Sequence, residues 1–145
     1  VTLENSFGKF TVKAGKAQGL LVPTEKVERG SAFPKEFDHY KVYRLLDSDL
    51  SLDKEVALED QFGSERTTIL SPRYLAVPVS KRHGRKIQHI YNEHAHLLLF
   101  DIKTSVFEKK IKIRNQFAPK IGIAVKLMYS LMLAVPSIKR EWKEI

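Results

Sequence analysis

Residues 56–81 read VALEDQFGSERTTILSPRYLAVPVSK, and the chain opens on a near-copy, VTLENSFGKFTVKAGKAQGLLVPTEK, over residues 1–26. A third version, IKIRNQFAPKIGIAVKLMYSLMLAVPSIK, fills residues 111–139. Residues 1–8 match residues 56–63 at an offset of 55, and the same step reaches residues 111–118. A second block, Leu-x-Val-Pro, recurs at Leu20–Pro23, Leu75–Pro78 and Leu133–Pro136. Each is followed three positions on by a lysine: Lys26, Lys81 and Lys139. The third copy holds three extra residues between its blocks, around Lys126 to Ser130. Matched spacing over this length marks an internal repeat, and a repeat governs the whole fold.

A further block appears only twice, His39–Tyr43 aligning with His96–Phe100. The units run over residues 1–36, 37–91 and 92–145 of a single domain, the first without its leading strand. The pattern within them is that of strands. Val1, Leu3 and Phe7 alternate with Thr2, Glu4 and Ser6, and residues 56–62 and 111–117 do the same. Successive side chains of a strand point to opposite faces, so each block has one apolar and one wetted face. The second unit reads as four strands: His39–Leu45, Glu55–Phe62, Glu65–Leu70 and Tyr74–Val79. The class is all-β, with antiparallel sheets arranged as small sandwiches or as a trefoil-like barrel.

Particular residues carry structural expectations. Phe7, Phe62 and Phe117 are predicted core positions. Asn5, Asp60 and Asn115 share the apolar side, where a polar group needs a partner, so each is expected to bond a neighbouring backbone. Gly8 and Gly63 suit hairpin turns that need positive φ, whereas Ala118-Pro119 requires a different turn. Pro23, Pro78 and Pro136 cannot donate to a ladder and belong at strand ends or edges. His39 and His96, being matched, read as structural.

These blocks resemble a family of tandem all-β repeat domains of unknown function found in secreted bacterial and archaeal proteins. The likeness rests on Asp60-Gln61-Phe62-Gly63, Asn115-Gln116-Phe117, the Leu-x-Val-Pro blocks and the His-led strands. It implies a cysteine in the strand after the histidine and another in the Val-Pro block, joined within the unit. Aliphatic residues stand at the matching positions here: Val42 and Leu99 in one block, Leu21, Ala76 and Ala134 in the other. Packing then replaces a covalent staple, as in a thermostable protein. The resemblance implies no reaction and no cofactor.

Composition narrows the chemistry. Of 145 residues, 43% are hydrophobic and 29% charged, which is globular. There is no cysteine, so thiolate metal sites and thiol nucleophiles are excluded. No apolar run reaches the length of a membrane-spanning helix. The chain starts at Val1 inside a strand pattern, as expected of a processed protein or a piece of a longer one. The net charge of +8 is uneven, +2 and +1 on the first two units and +5 on the third.

Three constellations deserve weighing. His94 and His96 at i and i+2 would face one side of a strand and share a metal. Asp47, Asp49 and Asp53 offer hard oxygen ligands in a loop, but Leu52 and Leu58 stand where a calcium-binding hand needs glycine and glutamate. Both are weaker readings than a structural histidine and a solvated acidic turn. Lys81, Arg82, Arg85 and Lys86, with Lys110, Lys112 and Arg114, would track the phosphates of a nucleic acid or an acidic glycan. Catalytic motifs are absent from the sequence. The expected protein is a non-enzymatic extracellular or cell-surface module without cofactor, self-associating or binding another surface protein. The alternative is a basic nucleic-acid-binding domain.

Overall fold

A computed structural model describes residues 1–28, 30, 32, 34–46, 50–103 and 106–141. All regular elements among them are strands. The first unit supplies β1 (Thr2–Asn5), β2 (Gly8–Thr11), β3 (Lys13–Leu21) and the short β4 (Glu25–Lys26). The second supplies β5 (His39–Leu46), β6 (Lys54–Asp60), β7 (Gly63–Val79), β8 (Lys81–His83) and β9 (Lys86–Gln88). The third supplies β10 (Ala95–Ile102), β11 (Val106–Arg114), β12 (Ile123–Tyr129) and β13 (Met132–Glu141).

One large antiparallel sheet runs in the order β2-β1-β13-β10-β7-β5-β3, with β6 attached to the first part of β7. Its logic is that of the repeat. Each unit contributes a hairpin, β1–β2, β6–β7 or β11–β12, and then a trailing strand that contains the Val-Pro block in β7 and β13 and ends just before it in β3. The leading strands β5 and β10 insert between trailing strands. β5 lies between β3 of the preceding unit and β7 of its own, and β10 lies between β7 and β13. The sheet is open and does not close into a barrel, so the trefoil-like alternative is not the one adopted. A separate three-stranded sheet, β12-β11-β4, ties the end of the first unit to the third.

Two hairpin turns follow the glycines. Gly8 and Gly63 have φ of 136° and 146°, a region in which a side chain is strained. Ahead of each turn the expected Asx bond is made. Phe7 N donates to Asn5 Oδ1 at 2.9 Å and Phe62 N to Asp60 Oδ1 at 2.7 Å. Phe117 N donates to Asn115 Oδ1 at 2.9 Å, so the third copy keeps the Asx bond although its turn lacks the glycine. The prolines sit where one side of the strand is open. Pro23 falls between β3 and β4; Pro78 lies beyond Ala76, where the pairing of β10 with β7 ends. Pro136 lies just before Ile138, where β1 joins β13.

Glu65–Leu70 and Tyr74–Val79, read separately from the sequence, form the single strand β7. Buried Pro72 faces Phe100 at a register shift between β7 and β10, a bulge that accommodates a residue with no N–H. In the third unit the two stretches do separate, into β12 and β13, where the extra residues fall.

The core draws on all three units: Leu3, Phe10 and Val12; Leu45, Ile69 and Leu75; Leu98, Phe100, Ile102 and Val135. β10 buries His96, Leu98, Phe100 and Ile102 in strict alternation. Phe100 is the hub, edge-on to Phe7 at 6.1 Å and to Phe10 at 5.6 Å between ring centroids.

The three repeated phenylalanines are not equivalent, contrary to the sequence expectation. Phe7 packs against the core, Phe62 is half-buried, and Phe117 is 68% exposed. What Phe62 and Phe117 share is a lysine from the preceding unit's Val-Pro block. Lys26 Nζ lies 5.6 Å from the Phe62 ring centre and Lys81 Nζ 5.7 Å from that of Phe117. The β1–β2 hairpin sits beside β13 in the large sheet, whereas β6 extends that sheet from β7 and β11–β12 belongs to the three-stranded sheet, so the three rings meet different surroundings.

Two outcomes follow. Phe7→Ala should cost about 2–4 kcal/mol in urea unfolding, and Phe117→Ala should stay within about 0.5 kcal/mol of wild type. Equal losses would restore the equivalence. Val42 faces Ala76, and Leu99 faces Ala134, across neighbouring strands. A Val42→Cys/Ala76→Cys variant should therefore oxidise to a within-unit disulfide and gain about 2–4 kcal/mol. Thiol titration and unfolding with and without reductant measure both.

Candidate functional site

The first feature with binding capacity is an edge. Among the described residues, β3 pairs with β5 alone. Its counterpart in the second unit, the later part of β7, is flanked by β5 and β10. No described residue pairs with the side of β3 that a leading strand of its own unit would cover. Leu20 and Leu21 there are 46% and 39% exposed. Unpaired edge N–H and C=O groups are a template for another strand.

The second feature is a cleft of about 430 Å³ beside the start of β5. Val22 and Pro23 of the first unit, Phe37, His39 and Tyr91 of the second, and Gln116 of the third line it. Asp38 shapes one wall: its carboxylate accepts from the backbone N–H of Tyr91 at 2.7 Å and of Asn92 at 3.0 Å. Glu25, buried on β4, receives the Arg114 guanidinium of β11 and holds the first unit against the third. The sequence reading missed Asp38, Glu25 and Gln116 as organising residues, since their partners lie far along the chain.

His39 and His96 are both buried, 4% and 3% exposed, as matched structural residues should be. Their bonding differs. His96 Nδ1 donates to the His94 carbonyl at 3.3 Å, whereas neither ring nitrogen of His39 has a hydrogen-bond partner. Gln116 stands beside the His39 ring and favours its protonated form, yet no bond closes, and Gln116 Nε2 is also buried without a partner. Burial holds both imidazoles below their ordinary pKa. The Lys81 charge adds to this at His39, against Gln116 and Asp38; at His96 the hydrogen bond to the His94 carbonyl opposes it, while the Lys139 and His94 side chains add to it.

The metal candidates do not converge. His94 precedes β10, so strand alternation does not align it with His96; it is exposed, with Nε2 3.5 Å from a Glu93 carboxylate oxygen. Asp53 is exposed with φ 47°, and Asp47 and Asp49 lie outside the described residues. No cluster of three or more His, Asp or Glu suited to a metal occurs among the described residues.

The basic residues divide between two places. Lys81, Arg82 and Lys86 lie on the β8–β9 ribbon and Arg85 in its turn, with φ of 61° at Gly84. Lys110, Lys112 and Arg114 lie on β11. Two of the seven have internal roles, Lys81 over Phe117 and Arg114 on Glu25. No helix among the described residues is long and apolar enough to cross a membrane.

The histidine environments predict a pH response. A folded-state pKa below the usual 6.5 means that the unfolded chain binds more protons. Stability should be full above about pH 6.5 and fall as pH drops below it, until the folded-state values are passed. Urea midpoints between about pH 7.5 and pH 5 measure this, and His39→Leu/His96→Leu should flatten the slope. An unchanged slope in the double variant would remove both histidines from the effect.

No curated protein and no solved structure matches the chain. A family model described as a repeat of unknown function, DUF7450, matches residues 1–135. Its span covers all three hairpins and both leading strands, and the chain belongs to this family of β repeats of unknown function.

Proposed function

We propose that this chain is a non-enzymatic extracellular or cell-surface module that accepts a β-strand from a further repeat unit along the open side of β3. The observation that carries the reading is the unequal flanking of equivalent strands: β7 has a leading strand on each side, β3 only one. The occupant is of the leading-strand type, because that type fills every matched slot. The two described leading strands, β5 and β10, are already interior, so the occupant is a strand other than these. Backbone hydrogen bonds then provide affinity, and the side-chain alternation provides register.

The register is specific. On β7, His39 faces Val79 and Arg44 faces Tyr74. At the repeat offset these positions become Thr24 and Gly19, so the incoming strand should cover residues 19–24. Exposed apolar side chains on the third unit, including Ile121, Met128 and Leu131, also favour a role in association.

A peptide copying residues 37–46, FDHYKVYRLL, tests the idea in trans. It should bind the chain and slow hydrogen exchange at outward amides between Gly19 and Thr24. Leu20→Lys/Leu21→Lys should weaken binding at least tenfold, the strand contacts being worth about 1.4 kcal/mol or more. A monomer whose amides at these positions are already protected, with no peptide bound, would end the proposal. So would a dimer sealed by β3 against β3.

The exposed β8–β9 ribbon, with Arg82, Arg85 and Lys86, favours a second reading as a nucleic-acid contact. Titration with duplex and single-stranded DNA at low salt decides it, since no binding there removes the reading.

A further inference from the structure

The His39 cleft breaks the symmetry of the repeat. His96 occupies the matched position and has its hydrogen bond to the His94 carbonyl. Gln116 also departs from its counterparts. Ser6 and Gln61 at the matched positions are exposed, whereas the Gln116 side chain turns inward. A structural repeat residue should have the same surroundings in each copy. Here one copy has buried polar atoms without partners, on two side chains that line a space large enough for a small ligand.

Such atoms are costly. A buried donor or acceptor left unmatched has given up its bonds to water with nothing in return. The unmatched set at this wall is His39 Nδ1, His39 Nε2 and Gln116 Nε2. A neutral imidazole offers one donor and one acceptor whichever tautomer it adopts, and the amide adds a donor. Hydroxyl groups answer both, since each donates and accepts. A carboxylate or phosphate only accepts and would leave the unprotonated imidazole nitrogen without a donor.

Charge and shape agree. Lys35 and Glu36 stand together on the lining and balance each other. Asp38 is committed to the backbone of Tyr91 and Asn92, and Lys81 to the Phe117 ring. Of the remaining described lining residues only Gln88 is polar; Val22, Pro23 and Pro34 are apolar, and Phe37 and Tyr91 add exposed rings. A ring with hydroxyls on its rim and C–H groups on its faces meets both kinds of wall.

We propose that this cleft binds a neutral sugar residue, with His39 and Gln116 bonding its hydroxyls and Phe37 or Tyr91 covering a ring face. Val22 and Pro23 line the cleft and also fall within residues 19–24, so sugar binding is tested on the chain without any added peptide; the ligand differs from the acidic glycan expected of the basic residues.

The test uses the whole chain and a panel of glucose, galactose, mannose, N-acetylglucosamine and their disaccharides, with glucuronic acid for comparison. Nitrogen-15 NMR follows the His39 imidazole and the Gln116 side-chain amide during each titration. At least one neutral sugar should shift both signals saturably, while the His96 ring stays unmoved. His39→Leu removes two unmatched polar atoms, so it should fold and unfold at no lower urea concentration than wild type. Its sugar affinity should fall at least tenfold, and Gln116→Leu should lower it similarly. Three results overturn the proposal: no shift with any neutral sugar, retention of binding in His39→Leu, or binding of glucuronic acid alone. A crystal soaked in the sugars that shows only ordered water on His39 and Gln116 would do the same.

Discussion

The fold depends on the antiparallel ladder between the leading strand of one unit and the trailing strand of the unit before it. β5 on β3 and β10 on β7 are the two instances, and each fixes one repeat against the next. No single unit holds enough apolar surface for a core of its own, and the buried set takes residues from all three. Sheet order places Phe100 of the third unit between Phe7 and Phe10 of the first. Without the inter-unit pairing, Phe100 would lose both neighbours.

The same ladder explains the edge. In this arrangement every trailing strand has two sides, one for its own leading strand and one for the next. At β13 the far side is partly covered by β1, which joins at Ile138–Glu141. At β3 it is the other side, the one for a leading strand of its own unit, that nothing among the described residues covers. Solubility of such an edge is helped by the lysines at 13 and 16 and by exposed glycines and alanines, which give an incoming chain little apolar surface to grip. The two leucines at its far end are where that protection stops.

Repetition also separates structural from singular residues. The Asx bonds at Asn5, Asp60 and Asn115 recur in all three copies, and their role is to set a turn. Glu4 and Glu59 recur as well, but Arg114 takes the third position, and Glu4 meets Arg140 on the surface. His39 begins as a repeat residue and ceases to behave as one, because unit three's turn and the segment before β5 meet beside it. An exception to symmetry, more than any motif, marks the place where a ligand would be held.

The sequence by itself determined the strand pattern, the turns and the order of the blocks. These are local matters: alternation sets which side chains share a face, Asx and Gly set the turns, and proline limits pairing. It also showed that the His-led block occurs twice and the other blocks three times, since counting them required no structure. Only the tertiary structure decided which copy of each residue is buried. An open sheet has one interior and no threefold axis, so Phe7 enters the core while Phe117 stays in water. The cleft at His39 was equally hidden, because its walls come from segments more than 90 residues apart in the chain, joined only by folding.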